Sequence, residues 1–477
     1  MAKNLIVILS DEHQASALST LDHPFVKTPH LDKLAARGTI FTNAYTPSPI
    51  CVPARAAFAT GRYAHQTAHW DNAMPYIGTP TGWGHQLQDA GIAVDSIGKL
   101  HYRDSTDPVG FDNIHIPMMV KDGVGMVWAS LRHEEERLYG QVRMLGDEIG
   151  PGESSYTRYD RAVTDRTIKW LADNKGREDG FCLYVGLVAP HFPLIAPDEF
   201  YDLYRNVDFP DAKLHPKDGH KRHPWIEKQN AMMSSEDKFQ DEDERRRAFI
   251  AYYGLVSWLD HNVGQIIKAI DDNGFGNDTT IIYSSDHGDN VGARGLWGKS
   301  NCYEESAKIP MIMAGPDIPQ GKCETAVSLL DVSATIPSFF GITPDSAMVG
   351  TSLPDLLASD QNQNRVIFSE YHAVGAVNGA FMIRYGDYKL IHYEGFEPEL
   401  FNLSHDPEEL VNLAFHEDYK DVLADLYDKL AAICDTAAVN QQAHDDQRAL
   451  VDSFGGLAAT RELGAKGATP PPDLESA

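Results

Sequence analysis

A chain of 477 residues, 42% of them hydrophobic and 23% charged, can bury a large core and exceeds the commonest single-domain size, so one large domain with a smaller companion is expected. With 69 acidic against 41 basic residues the formal charge is −28, which disfavours unspecific nucleic-acid binding but still allows a cationic pocket inside an acidic shell. The five cysteines, Cys51, Cys182, Cys302, Cys323 and Cys434, are odd in number and widely spaced, which excludes a disulfide framework and a Cys-rich zinc module.

In chain order, MAKNLIVILSDEHQ opens with one lysine and a short apolar run, too short for a signal peptide. No later stretch reads as a membrane span, so a cytoplasmic protein is expected. LIVIL (5–9), IAVDSI (92–97), FCLYVGLV (181–188), TTIIYSS (279–285), IPMIMAG (309–315) and VIFSE (366–370) read as strands. Their near-continuous hydrophobicity suits a large, mostly parallel sheet covered on both faces. Between them HLDKLAARG, YDRAVTDRTIKWLADN and RRAFIAYYGLVSWLDHNVGQIIKAIDDNG carry apolar residues at helical spacing, which makes the class α/β. After residue 370 the texture changes. FMIRYGDYKLIHYE alternates like two strands joined at Gly386 and Asp387, and YKDVLADLYDKLAAI follows as a helix. This gives a large α/β domain over 1–370, a small α+β domain over 371–454 and an extension over 455–477, whose GAKGATPPPDLESA end reads as extended or disordered.

The polar punctuation gathers at one end of the strands. Asp11 follows LIVILS, Lys99 and His101 follow IAVDSIG, His191 follows VGLVAP, and Asp286 with His287 follows IIYSS. In an open α/β sheet ligands bind beyond the carboxyl ends of the strands, so these distant positions can converge. Singly, Asp11 reads equally well as a helix cap and Asp286 as a turn residue. Together they make a cation site whose carboxylates suit Ca²⁺, Mg²⁺ or Mn²⁺, with the imidazole tilting the balance towards Mn²⁺.

Cys51 lies in PSPICVPARAAF, where an apolar helical pattern begins just after it and Pro53 is compatible with a first turn. Arg55 falls about one turn further on. A lone cysteine is often only a small buried hydrophobe, as Cys182 inside FCLYVGLV is expected to be. As a thiolate nucleophile, Cys51 would be oddly paired with a hard divalent cation.

CVPAR, with Cys51, Pro53 and Arg55, resembles the C-x-P-x-R core of the sulfatases, in which a separate maturation enzyme oxidises the cysteine to formylglycine. The ordered landmarks SDEHQ, TPHLDKLAARGTIFTNAY, IGKLH, APHFP, SSDHGD, WGKSNCYEESAKIP and LFNLSHDPEELVNLA extend the resemblance from residue 4 to about 415. It implies an alkaline-phosphatase-like α/β sandwich. It also implies a divalent metal, Mn²⁺ or Ca²⁺ with Mg²⁺ as the alternative, held by Asp11, Asp286, His287 and the modified Cys51, which is also the nucleophile. Arg55, Lys99 and Lys299 would neutralise sulfate oxygens, and His101 and His191 would position oxygens or move protons. Many sulfatases carry a second aspartate where this chain has Glu12 and an asparagine where it has His287. The Asp-His pair resembles the choline sulfatase and phosphonate monoester hydrolase branch, and there Glu12 is not expected to reach the metal.

Four residues are candidates for substrate contact, Trp70, Asn72, Trp128 and His133, with Trp83 beside them. Burial as ordinary packing is the commoner fate of a tryptophan. The segment after His101 does not preserve a choline cage, so the expectation is an arylsulfatase-like sulfuric ester hydrolase acting on small anionic sulfate or phosphonate esters. The alternatives are a phosphonate monoester or phosphodiester hydrolase, a choline-O-sulfatase and, from another class, a non-catalytic anion-binding or assembly protein. The resemblance also implies a homodimer or homotetramer, while the acidic charge and the lack of a long apolar stretch point to no nucleic-acid and no membrane partner.

Overall fold

A computed structural model describes residues 4–139, 145, 148–359, 364–463 and 469–474. At its centre is an eight-stranded sheet. Its strands run, across the sheet, Gly321–Cys323, Gly38–Phe41, Met311–Ala314, Thr279–Ser285, Asn4–Asp11, Phe181–Pro190, Ala93–Lys99 and Asn113–Met118. The five from Thr279–Ser285 to Asn113–Met118 are parallel, and Met311–Ala314 runs antiparallel to both its neighbours.

Strand Asn4–Asp11 shows why this run is apolar without alternation. Ile6 and Ile8 join one buried cluster with the helices Ser155–Asp173 and Glu242–Asp272, while Leu5, Val7 and Leu9 join another with Cys51–Thr60 and Leu329–Phe339. Successive side chains point to opposite faces, and both faces are covered by helices.

A second sheet of four antiparallel strands, Ile367–Tyr371, Ala380–Tyr385, Tyr388–Tyr393 and Glu399–Asn402, follows in order. Its hairpin turns at Gly386 and Asp387, with Gly386 at φ 55°, a left-handed conformation that glycine adopts without steric cost. Met382, Ile391 and Phe401 pack on Ile50, Trp225 and Leu296 of the α/β body, while Phe381, Ile383 and Leu390 receive the helix Lys420–Ile433 through Leu426 and Leu430.

Two sequence expectations shift. The VIFSE run belongs to this second sheet, not the parallel one, because the chain after it returns as a hairpin without a helical crossover, so the boundary drawn at 370 falls inside a strand. The extension begins with a helix, Gly456–Leu463, and residues 469–474 then lie without helix or strand. The rest of the tail expected to be extended or disordered, 464–468 and 475–477, lies outside the described residues.

Candidate active site

Cys51 is the first residue of the helix Cys51–Thr60, preceded by extended Ile50 and closed by Gly61 in the left-handed region at φ 68°. Pro53 sits in the first turn, where a missing N–H leaves no intrahelical bond unmade. The N–H of Val52, one of the donors without an intrahelical acceptor, is accepted by Asn72 Oδ1 at 3.2 Å.

Parallel pairing sets Ser10 beside Ser285, so Asp11 and Asp286 leave adjacent strands side by side. Cys51 Sγ lies 3.2 Å from His287 Nε2 and 3.7 Å from Asp11 Oδ1. The His287 nitrogen is 3.6 Å from Asp286 Oδ1. All four residues are buried, and their donor atoms lie within 4.8 Å of one another. His287 Nδ1 is 3.0 Å from the Gly288 carbonyl, which can only accept, so Nδ1 carries the hydrogen and the Nε2 lone pair faces the cluster. Two hard carboxylates and one free imidazole lone pair fit a divalent cation of the Mn²⁺, Ca²⁺ or Mg²⁺ class.

Two cations pass through this cluster. Arg55 donates from Nε to Asp286 Oδ2 at 2.8 Å and from Nη2 to Asp11 Oδ2 at 3.3 Å, and its Nη1 reaches the Lys99 carbonyl at 3.0 Å and the Tyr184 hydroxyl at 2.9 Å. Lys99 Nζ donates to Asp11 Oδ2. Burial opposes ionisation of Asp11, but the charges of Lys99 and Arg55 hold its carboxyl well below the ordinary range. Burial, reinforced by Asp11, pushes the Cys51 thiol up to about 11, so the unmodified side chain is a poor nucleophile at neutral pH.

A third cation stands opposite. Lys299 Nζ donates to Glu12 Oε2 at 2.9 Å and to His191 Nε2 at 2.8 Å. His191 Nδ1 is 2.6 Å from the Phe192 carbonyl, so Nδ1 bears its hydrogen and Nε2 only accepts. Burial, then Lys299, keeps this imidazole neutral well below its usual pKa. Glu12, His101 and Ser300 have φ of 69°, 60° and 83°, so three non-glycine residues around the site hold the left-handed conformation. A cavity opens over Cys51, lined by Lys99, His101, His191 and Lys299 and by the aromatic side chains of Trp128, Phe192 and Trp297.

A family model described as Sulfatase matches residues 3–342. The chain belongs to the sulfatase family. A second model, N-sulphoglucosamine sulphohydrolase C-terminal, matches residues 292–436 of this sulfatase. A choline-sulfatase of Rhizobium meliloti is 32% identical over 86% of this chain and 82% of its own length. The arylsulfatase K of Danio rerio is 29% identical over 92% of this chain and 85% of its own. In fold, the phosphonate monoester hydrolase SpPMH from Silicibacter pomeroyi superimposes with a TM-score of 0.74 at 21% identity, over 90% of this chain and 94% of that one. Family membership makes this sulfatase a sulfuric ester hydrolase.

Some residues singled out from the sequence lie elsewhere. Arg55 does not line the cavity, because every guanidinium nitrogen is already engaged beneath it. Trp70 faces the C-terminal helix Thr436–Ser453, donating from Nε1 to Asp446 Oδ2 at 2.8 Å, and only Asn72 of the WDNA turn reaches the cavity. Trp83 packs on Phe58 and Phe111. His133 is exposed and meets His444 beside a separate cleft. Trp128 does line the cavity. Glu12, Tyr156 and Trp297 were not assigned contacts from the sequence. Trp297 carried the readable signal, two residues before Lys299 in LWGKS.

Proposed function

We propose that this sulfatase hydrolyses esters of sulfate with an uncharged, apolar or aromatic leaving group, as an arylsulfatase does. The observation that carries this reading is the cavity lining. Lysines and histidines line it with Cys51, aromatic and aliphatic side chains share the rest with uncharged polar ones such as Gln229, Asn230 and Asn301, and no aspartate or glutamate is among the described residues that line it. A quaternary ammonium would gain cation–π contact there but meet two ammonium groups and no carboxylate.

In the family the modified cysteine supplies the nucleophilic oxygen, and a bound divalent cation lowers that oxygen's pKa and shares the charge of the sulfate. Asp11, Asp286 and His287 would hold the ion, Mn²⁺ or Ca²⁺ before Mg²⁺. Lys99 and Lys299 neutralise the sulfate oxygens as charge redistributes. Because His191 Nε2 only accepts, the proton shared by the Lys299–His191 pair resides on Lys299, whose pKa is raised against burial by the acidic groups around it, so Lys299 steadies the charge on the leaving oxygen as a hydrogen-bond donor. Arg55 acts through the carboxylates, fixing Asp11 and Asp286 from below the cavity.

The same reading includes a formylglycine-generating maturation partner and a closed homodimer or homotetramer, for which the exposed Leu410, Val411 and Phe415 provide an apolar cluster. Five unpaired cysteines favour a reducing, cytoplasmic compartment. No described helix is long and apolar enough to cross a membrane.

Protein co-expressed with the maturation enzyme is to be assayed with an aryl sulfate, choline sulfate and a phosphonate monoester at equal enzyme concentration. The aryl sulfate should give the highest kcat/KM. A higher value for choline sulfate or the phosphonate would replace the leaving-group or head-group assignment respectively.

A further inference from the structure

We infer that Thr469, at the start of the chain's own C-terminal segment 469–474, forms part of the wall of the catalytic cavity and is a positioning residue for His101. The inference rests on the catalytic reading of this cavity and adds a residue that no motif marks.

Three contacts carry it. Thr469 Oγ1 lies 2.8 Å from His101 Nε2. The Thr469 carbonyl accepts from the Tyr156 hydroxyl at 2.5 Å, and Thr469, Tyr156 and His101 all line the cavity over Cys51. Leu474, five residues on, packs against the apolar cluster that includes Tyr156 and Phe192. The segment is thus held at both ends. Pro470, Pro471 and Pro472 between them have fixed φ angles, which stiffens the stretch that joins the two contacts.

The hydroxyl has a specific task at His101. That ring is buried, its backbone sits at φ 60°, and its Nδ1 has no hydrogen-bond partner. Thr469 therefore provides the one hydrogen bond found for the ring among the described residues, and it fixes the rotation of an imidazole placed between Lys99 and the substrate space. Without the hydroxyl the ring can turn, and its nitrogens lose their alignment with the reacting oxygens.

The test uses full-length protein. Thr469→Val keeps the shape and removes the hydroxyl, and it should lower kcat about tenfold with KM and metal content near the wild type, as expected for lost alignment of a proton-handling group. Thr469→Ser should restore kcat to within about twofold of the wild type. Unchanged kcat in Thr469→Val, or a serine variant as slow as the valine one, would overturn the positioning role.

The wall is read without turnover. In protein made without the maturation enzyme, the Cys51 thiol should react with N-ethylmaleimide several-fold faster when Leu474→Asp unseats the segment, with Cys51→Ala correcting for the other cysteines. An unchanged rate would remove the wall. A wild type that hydrolyses no sulfate ester would sink the catalytic reading and the His101 role with it, while the alkylation rates would still decide the wall.

Discussion

Arg55 Nε donates to Asp286 Oδ2 at 2.8 Å while the same guanidinium reaches Asp11 Oδ2 at 3.3 Å, so one buried arginine bridges the two carboxylates that flank Cys51. The arginine of the C-x-P-x-R core is thus spent on holding the acids that would hold the cation. Removing it leaves two buried carboxylates with less compensation. Arg55→Ala should cost about 3–5 kcal/mol, the usual penalty for breaking a buried ion pair, and Arg55→Lys should fall between, keeping charge without the planar fork. Thermal unfolding measures this, and an Arg55→Ala protein with the wild-type Tm would contradict the bridging role.

Metal binding and sulfate binding should separate by residue. Asp286→Asn and His287→Ala remove donors from the buried cluster, so both are expected to lower metal content and rate together. Lys299→Ala removes a cation that touches Glu12 and His191, and it should slow turnover with metal content kept. Elemental analysis decides, and equal metal in all three variants would dissolve the distinction.

The thiol of Cys51 should betray its surroundings before maturation. Burial and Asp11 raise its pKa to about 11, so thiolate is scarce at pH 7 and its fraction rises about tenfold per unit until that pKa is approached. Alkylation of the immature protein should follow that slope, whereas a plateau above pH 9 would mean an ordinary thiol. In the matured enzyme Cys51→Ala should leave the fold in place and abolish turnover, because the loss is the covalent centre and not a large core side chain.

Much of this was legible from the sequence, for a physical reason. Strand runs such as LIVIL and TTIIYSS are apolar on both faces because helices cover both, and polar residues at their carboxyl ends converge by sheet topology alone. What stayed hidden depends on direction and on long-range partners. Trp70 and Asn72 are two residues apart, yet one faces the C-terminal helix and the other the cavity, which no spacing rule reveals in an irregular turn. VIFSE had the composition of a central strand, and only the hairpin after it moved it to the second sheet. Thr469 lay in a proline-rich tail whose composition gives no hint of where it docks.

The junction between the catalytic body and the second sheet contains a charge pair with its own pH signature. Glu370 is buried between His65, whose Nδ1 lies 2.9 Å from Oε1, and His372, whose Nε2 lies 2.9 Å from Oε2. Burial alone would raise the Glu370 pKa, but His65 and the bond from His372 outweigh it and bring it down to about 2. His65 is the charged partner, its pKa raised by Glu370 against burial, while burial lowers that of His372 and leaves it a neutral donor. A depressed carboxyl contributes stability above its ordinary value of 4.5 that is lost as pH falls towards 2, and a raised imidazole contributes below 6.5 and loses it at higher pH. Both contribute fully between those two values. Glu370→Gln should be less stable than wild type there by on the order of 3 kcal/mol, with the difference shrinking towards pH 2. Denaturant titrations across that range check it, and a pH-independent difference would remove the ion-pair explanation.

The last expectation concerns what the cavity selects. Trp128 and Trp297 both line it, but their support differs. Trp297 is braced by Phe239 and Phe249, at ring distances of 5.3 and 5.0 Å, and its Nε1 donates to Glu236 Oε2 at 2.8 Å. Trp128 is buried with no hydrogen-bond partner on its indole nitrogen. A braced indole offers a rigid apolar surface at little entropic cost, so Trp297 should contribute to binding the leaving group more than to the chemistry at sulfur. Trp297→Ala is expected to raise KM for an aryl sulfate about tenfold, roughly the loss of one aromatic contact, with kcat changed less than threefold. Trp297→Phe should recover most of the KM. For a small alkyl sulfate that cannot reach the indole, the same substitution should leave KM nearly unchanged. A parallel rise for both substrates would mean that Trp297 supports the position of Lys299 two residues away and does not read the leaving group.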